Sequence, residues 1–406
     1  MAETTVEPLP DPPATTGFRG RVEEFLRSNC PPVGERIDAG HERVDAARAF
    51  QSALASAGLA GLTYPTRFGG AGLTRAHQEE FDEVSRGWSL PTFPLAISHG
   101  MCLPMLNQFG TDDQKARFMP ANISGRAIWC QMFSEPGAGS DVASLATRAV
   151  RDGDEWVVNG QKVWTSGAHY CDYGIIVART DPTLPKHQGL SMFIVDMHDP
   201  CIEVRPLRQI SGDSGFNEVF FTDLRIPADW LLGELEQGWS LATAMLMFER
   251  VSIGAGGGSF AVDRSPALIT LAQETGQAHD PGLRQRLADL WIREQIRRYI
   301  GSRIRAAVAA DRVPGPEGSI AKLHGAILAR TARDVSMSIA GTAAQAWDAC
   351  DVAGARWATA CLGASGASIA GGTDEVQRNI IGERVLGLPR EPDPYKGAAW
   401  DTVPRS

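Results

Sequence analysis

Between Gly125 and Glu236 apolar residues recur at every second position, while on either side they recur every three or four. That change of period divides the chain into three parts. In the first part Phe18, Val22, Phe25 and Leu26, then Phe81, Val84 and Trp88, fall at helical steps. Thr111-Asp112-Asp113-Gln114 has the form of a capping box that opens a further helix. Phe93, Ile97, Met101 and Met105 stand at steps of four, a single apolar stripe whose ordinary role is core. In the middle part, Trp156-Val157-Val158, Tyr173 to Val177, Leu190 to Val195 and Val219 to Thr222 are short β-rich runs. They are separated by turns at Asp152-Gly153, Asn159-Gly160, Asp181-Pro182 and Asp199-Pro200. The last part is Ala-rich, with Leu287, Leu290, Trp291, Ile296, Ile300 and Ile304 at helical spacing, a pattern that builds a bundle and commonly pairs with copies of itself. The expected fold is α+β and multi-domain. Residues 1–16 form a disordered lead, 17–124 an α-helical N-terminal domain and 125–237 a small antiparallel β-barrel. Residues 238–390 form a C-terminal α-helical bundle of four-helix type, and 391–406 a tail.

Bulk properties narrow the function classes. At 406 residues there is room for two or three packed subdomains. A net charge of −9 without a basic tract argues against nucleic acid as the main partner, so anionic ligands must find local donors. Seven cysteines, Cys30, Cys102, Cys130, Cys171, Cys201, Cys350 and Cys361, are scattered singly, which points to a reducing compartment with neither zinc site nor disulfide frame. The acidic, proline-rich start lacks the basic and apolar parts of a signal peptide, and no apolar run reaches the roughly 18 residues of a membrane span. The expectation is a cytoplasmic protein with no membrane partner.

Three motifs carry the chemistry. Phe133-Ser134-Glu135-Pro136-Gly137-Ala138-Gly139-Ser140-Asp141 cannot be a regular helix or strand, because Pro136 lacks an N–H and Gly137 and Gly139 permit close approach. It is a loop that brings main chain against a ligand. Further on, Val157, an Asn159-Gly160 hairpin turn and Val163-Trp164-Thr165-Ser166 read as alternating strand ending in an indole beside two hydroxyls. An indole stacks on an isoalloxazine, and a hydroxyl reaches a ring nitrogen. Either segment alone is more often a plain turn or a core strand. Joined in this order to Gly371-Gly372-Thr373-Asp374-Glu375-Val376-Gln377-Arg378, they resemble the acyl-CoA dehydrogenase family, and the resemblance runs from Phe18 to Pro389.

The resemblance implies FAD, an acyl-CoA substrate, an electron-transfer flavoprotein as electron acceptor, and a homodimer or homotetramer. Phe133 and Ser134 are then expected at the flavin ring, Trp164 packed against it, and Thr165 and Ser166 beside it, with Ser166 hydrogen-bonding near N5. Thr373 and Glu375 match positions that contact FAD, Ser140 faces the thioester ligand, and Phe93 and Ile97 wall the acyl pocket. The reaction removes a weakly acidic α proton, which calls for a desolvated carboxylate and for donors at the thioester oxygen. Many members place that carboxylate immediately before the Gly-Thr of the last motif, where this chain has Gly371. Others carry it on the helix after the β domain, where Glu249 matches. Ala242, Met245, Ser252, Ile253 and Gly256 share its helical face, so the carboxylate sits in a small, apolar stripe that raises its pKa. Arg250 is its electrostatic partner or a coenzyme A contact, and the Gly371 backbone N–H still serves the thioester oxygen.

The same residues allow other readings. Glu249 as a plain helix-joining ion pair, a non-catalytic FAD-binding partner subunit, and an oxygen-using acyl-CoA oxidase all remain compatible. Gly212-Asp213-Ser214-Gly215 copies a protease nucleophile motif, but a chain with one small β segment lacks the two barrels such enzymes use. Gly254-Ala255-Gly256-Gly257-Gly258 follows a helix, so it is no dinucleotide fingerprint. The Arg-x-x-Phe-Gly stretch by which the family often grips the FAD diphosphate is missing; Arg297, Arg298 and Arg303 are spare cations that could substitute for it.

Overall fold

The computed structural model describes residues 15–32, 44–254, 264–309, 317–346 and 352–404. Most of the expected disordered lead, and Ala255 to Gly258, lie outside them. By internal contacts the chain divides into two compact units: Met1–Gln131 with Tyr170–Ile175 and Ile194–His198, and Met132–His169 with Ile176–Phe193 and Asp199–Ser406.

The first unit holds helices α1 (Thr15–Asn29), α2 (Val44–Ser56), α3 (Arg75–Ser85), α4 (Leu103–Phe109) and α5 (Asp112–Ile123). Helical spacing places Phe18, Val22 and Leu26 of α1 and Phe81 and Val84 of α3 inside, and these two helices pack together. The capping box is present: Thr111 accepts from the Gln114 N–H at 3.2 Å, and Gln114 accepts from the Thr111 N–H at 3.0 Å. The stripe at steps of four is not one α-helix. Phe93–Leu95 is a 3₁₀ turn and Ser98–Cys102 a π turn leading into α4. Their different residues per turn rotate the face, so Phe93 is 53% exposed, Ile97 half-buried, and Met101 and Met105 buried. Arg48 of α2 ties this unit together by donating to Asp172 at 2.8 Å and to the Arg126 carbonyl at 2.7 Å.

The eight strands are β1 (Trp129–Met132), β2 (Arg148–Asp152), β3 (Glu155–Ser166), β4 (Tyr173–Arg179), β5 (Leu190–Asp196), β6 (Ile202–Leu207), β7 (Phe216–Pro227) and β8 (Leu231–Leu232). They form one sheet in the order β6-β7-β3-β2-β4-β5-β8, with β1 on β4. The β2–β3, β3–β7, β6–β7 and β5–β8 pairs are antiparallel, and β2–β4 is a parallel junction at Arg148 and Arg179.

After the sheet the second unit is helical, with α6 (Gly238–Gly254), α7 (Ser265–Glu274), α8 (Pro281–Ala309), α9 (Glu317–Ala340), α10 (Val352–Gly363) and α11 (Asp374–Ile380) among the described residues. Leu283, Leu287 and Leu290 of α8 meet Leu328, Ala332, Val335 and Ile339 of α9 at the i, i+4, i+7 spacing expected of a bundle core, with Leu268 and Ala272 of α7 completing it. Glu294, 1% exposed on α8, accepts from the Arg264 and Ser265 N–H groups at 2.6 and 3.0 Å and so caps α7 from a neighbouring helix.

Candidate active site

The first motif is a closed loop held from inside. The Glu135 N–H donates to the Ala138 carbonyl at 3.1 Å and the Ala138 N–H returns the bond at 3.0 Å. The Glu135 side chain, 8% exposed, accepts from the Ala146 and Thr147 N–H groups at 2.6 and 3.0 Å and from the Lys162 ammonium at 2.7 Å. Lys162 is wholly buried and also donates to the Phe133 carbonyl at 3.0 Å. Burial works to raise the Glu135 pKa, but the Lys162 charge and the hydrogen bonds outweigh it and hold the carboxyl below its ordinary value. The Val163 N–H donates to the Ser134 carbonyl at 2.9 Å. Loop and strand, separate in sequence, are therefore one assembly. Phe133 is buried, Ser134 half-buried and Ser140 exposed.

The second motif corrects the sequence reading. Asn159-Gly160 is not a hairpin turn, because β3 runs through it to Ser166; the turn lies at Asp152-Gly153. The glycine is needed for approach: a Cβ at Gly160 would stand 2.5 Å from Thr147 Oγ1 and 2.7 Å from Thr147 Cα. The β3–β7 register shifts between Val158 and Gly160 and again between Lys162 and Thr165. Within the second irregularity Trp164 takes φ +62° and is 60% exposed, with Phe216 edge-on at 6.0 Å. A left-handed tryptophan facing outward is a strained arrangement of the kind kept at ligand sites. Thr165 is 1% exposed and its Oγ1 meets no hydrogen-bond partner, while its carbonyl accepts from Asn217 at 3.0 Å. Ser166 is half-buried at the end of the strand. An exposed indole beside a buried, unmatched hydroxyl fits a flat heteroaromatic group with polar edges.

The third motif is a turn into α11. Gly371 and Gly372 take φ +69° and +89°, and Gln377 donates back to the Gly371 carbonyl at 2.8 Å. Thr373 caps α11 by accepting from the Val376 N–H at 3.2 Å. Glu375 is exposed and lies 3.5 Å from Arg378. On α6, Ala242 and Met245 are fully buried and Glu249, on the same face, is half-buried. The side chains of Arg250, Ser252 and Ile253 lie outside the described residues. Arg297 is half-buried on α8, and Arg298 and Arg303 are exposed there. Phe93 and Ile97 belong to the first unit and the other predicted residues to the second.

Two features escaped the sequence reading. One is Lys162, whose parity with Trp156 and Val158 along β3 marks it for the buried face. The expected tail is docked: the Trp400 ring lies 4.3 Å from the buried Arg179 guanidinium, the Trp400 backbone N–H donates to the Leu184 carbonyl at 3.0 Å, and Ala399 bridges Pro185. This segment and Glu135, Pro136, Gly137 and Ala138 wall a cavity of about 1260 Å³. Neither Trp164 nor Thr165 lines it, so it is distinct from the indole and hydroxyl site.

Sequence profiles of the acyl-CoA dehydrogenase N-terminal, middle and C-terminal domains match residues 13–126, 130–224 and 236–386. The chain is 39% identical over 380 residues to acyl-CoA dehydrogenase IpdE1 of Mycobacterium tuberculosis, covering 92% of this chain and 98% of that protein. Among solved structures it is similar to one described as the Tcur3481-Tcur3483 steroid ACAD, at 30% identity and TM-score 0.80, covering 94% of this chain and 99% of that one. It is also similar to the ChsE4-ChsE5 complex from Mycobacterium tuberculosis, at 27% identity and TM-score 0.73 over 95% and 100% of the two chains. With all three domain profiles matched in order around the site described, the chain belongs to the acyl-CoA dehydrogenase family of flavoprotein oxidoreductases.

Proposed function

We propose that this enzyme is FAD-dependent and converts an acyl-CoA to its trans-2-enoyl-CoA, with an electron-transfer flavoprotein as acceptor. The observation that carries this reading is the joined loop and β3, where the strained, outward Trp164 stands beside the unmatched Thr165 hydroxyl. Bound FAD supplies the acceptor for the β hydride. Trp164 packs against its ring, and Thr165, Ser166, Phe133 and Ser134 hold the ring's edge. Thr373 and Glu375 serve the rest of the cofactor, with Arg297, Arg298 and Arg303 as candidates for the diphosphate. Glu249, half-buried beside Ala242 and Met245, removes the α proton. The Gly371 N–H and Ser140 serve the thioester, and Arg250 the substrate's charge. Likeness to a structure described as a steroid ACAD supports a ring-bearing acyl group.

The test is the anaerobic visible spectrum of the purified protein, titrated with short, long, branched and ring-bearing acyl-CoAs, beside Glu249→Gln. Bleaching by ring-bearing thioesters in the wild type alone is expected. A colourless protein overturns the flavin site, and a Glu249→Gln protein that bleaches as fast overturns the base.

A second reading is a non-catalytic partner subunit. It is favoured by Gly371 in the place of the common base and by two similar structures whose descriptions pair two proteins. A yellow protein that no thioester bleaches supports it.

A further inference from the structure

The loop of the first motif is anchored at two separate places. Its first half is fastened to β3, where the Phe133 carbonyl accepts from Lys162 at 3.0 Å and the Ser134 carbonyl from the Val163 N–H at 2.9 Å. The far side hangs on Arg179 and on the docked C-terminal segment. Arg179, 1% exposed, donates to the Ala143 and Leu145 carbonyls at 2.6 and 3.2 Å. Between them the Ser144 carbonyl accepts from the Trp400 indole N–H at 3.3 Å, and the Trp400 ring covers the Arg179 guanidinium at 4.3 Å. The same two residues hold the segment from Pro182 to Lys186: Arg179 donates to the Lys186 carbonyl at 3.3 Å, and the Trp400 and Asp401 backbone N–H groups donate to the Leu184 and Pro182 carbonyls at 3.0 and 3.1 Å.

From these two held segments, two side chains converge on Asp141. The Ser144 hydroxyl donates to Asp141 Oδ2 at 2.6 Å and the Lys186 ammonium donates to the same oxygen at 2.7 Å. Asp141 directly follows Ser140. Between the anchors Pro136, Gly137, Gly139 and Ser140 are exposed, and a Cβ at Gly137 or Gly139 would meet nothing within 4 Å. The tip has little packing of its own, so its place is set by what holds its ends. A guanidinium taken out of water needs its N–H groups matched and its face covered, and an indole does the second. With the ring gone, water reaches Arg179 and competes for the N–H groups that fix residues 143 to 145.

We propose that Trp400, seated on Arg179, is a positioning residue for ligand binding: through Ser144 and Asp141 the docked C-terminal segment fixes the place of Ser140 at the thioester ligand. This rests on the reading of Ser140 as a thioester contact. The double anchoring gives the role a signature. Trp164 and Thr165 lie on β3, held by the other anchor, so flavin retention does not depend on the C-terminal segment. What depends on it is binding common to ground and transition states, which appears in half-saturation and not in the limiting rate.

The measurement is anaerobic flavin bleaching by a ring-bearing acyl-CoA, followed by stopped flow to give a half-saturating concentration and a limiting rate. Below its melting temperature Trp400→Ala raises the half-saturating concentration about tenfold, with limiting rate and flavin-to-protein absorbance ratio as in the wild type. Trp400→Phe, which keeps a ring on Arg179 but offers Ser144 no N–H, lies between the two. Ser144→Ala removes one bond to Asp141 and shifts half-saturation in the same direction. Since both act through Asp141, the double variant binds no more weakly than Trp400→Ala alone. Should Trp400→Ala not fold, Trp400→Phe and Ser144→Ala decide the matter. A segment that only stabilises the fold lowers the melting temperature and leaves half-saturation unmoved in every folded variant, which overturns the proposal. Effects that multiply in the double variant overturn it too, because they mean that Trp400 acts on the ligand independently of Asp141. A wild type that no acyl-CoA bleaches fails the thioester reading and this inference with it; a wild type that bleaches beside variants with unmoved half-saturation removes only the role of Trp400.

Discussion

Under the proposed chemistry, the backbone at residue 371 bears on where the base can stand. Gly371 takes φ +69°, a left-handed conformation that costs a side-chain-bearing residue about 1–2 kcal/mol. A glutamate grafted there enters strained, which fits the proposal that the base is carried on α6 as Glu249. The Glu249→Gln, Gly371→Glu double variant should stay about 5- to 30-fold slower than wild type in flavin bleaching, the factor that such strain implies. Recovery to the wild-type rate would show that the turn tolerates the carboxylate. The Glu135–Lys162 pair is a second residue-scale commitment. Lys162→Met leaves a buried carboxylate without its cation, at a cost of about 3–5 kcal/mol in thermal or denaturant melts. The pair also sets a pH dependence. Because the Glu135 pKa is held below its ordinary 4.5, its contribution is complete above that value and fades as pH falls through the lower, folded one. Acid melts should therefore lose stability below pH 4.5 in the wild type, and this component should be absent in Glu135→Gln.

Single elements show how far the sequence was legible. The capping box at Thr111 was readable because its side-chain and backbone partners lie three residues apart. The core of α8 and α9 was readable because its apolar residues keep one period. The 3₁₀ turn at Phe93–Leu95 and the π turn at Ser98–Cys102 were not, since a change in residues per turn leaves no mark in residue type and yet leaves Phe93 facing outward. Asn159-Gly160 looked like a hairpin because that pair favours one; what fixed Gly160 was the approach of Thr147, a tertiary fact. Of the site, the motifs located the loop and strand, but the irregularity that swings Trp164 outward depends on pairing with β7. The C-terminal segment carried a legible hint in its two aromatics, Tyr395 and Trp400, within a stretch rich in polar residues and proline. Removing the indole in Trp400→Ala should cost up to about 3–5 kcal/mol if the whole packing is lost. Limited proteolysis should then cleave within 391–404 before any other segment. Equal protease resistance of variant and wild type would mean that the hydrogen bonds to Leu184 and Pro182 suffice to hold the segment.

Across the whole molecule, the outer side of α8 argues for assembly. Trp291, Ile292, Ile296 and Tyr299 are 53%, 50%, 43% and 69% exposed, although large apolar groups clustered on one helix are seldom left to water. The same helix carries Arg297, Arg298 and Arg303, the candidates for the diphosphate in a chain without the Arg-x-x-Phe-Gly stretch. If a second copy covers this side, cofactor retention and association rise and fall together. Trp291→Glu combined with Ile296→Glu places charge where the apolar contact would form. Light scattering after size exclusion should then show a dimer or tetramer for the wild type and a monomer for the variant, with the flavin-to-protein absorbance ratio falling in the monomer. A wild type that is monomeric alone, but associates when co-expressed with a second dehydrogenase chain, would assign the surface to a mixed assembly. A variant that dissociates yet keeps its flavin would separate the two roles of α8 and place the diphosphate contacts within one chain.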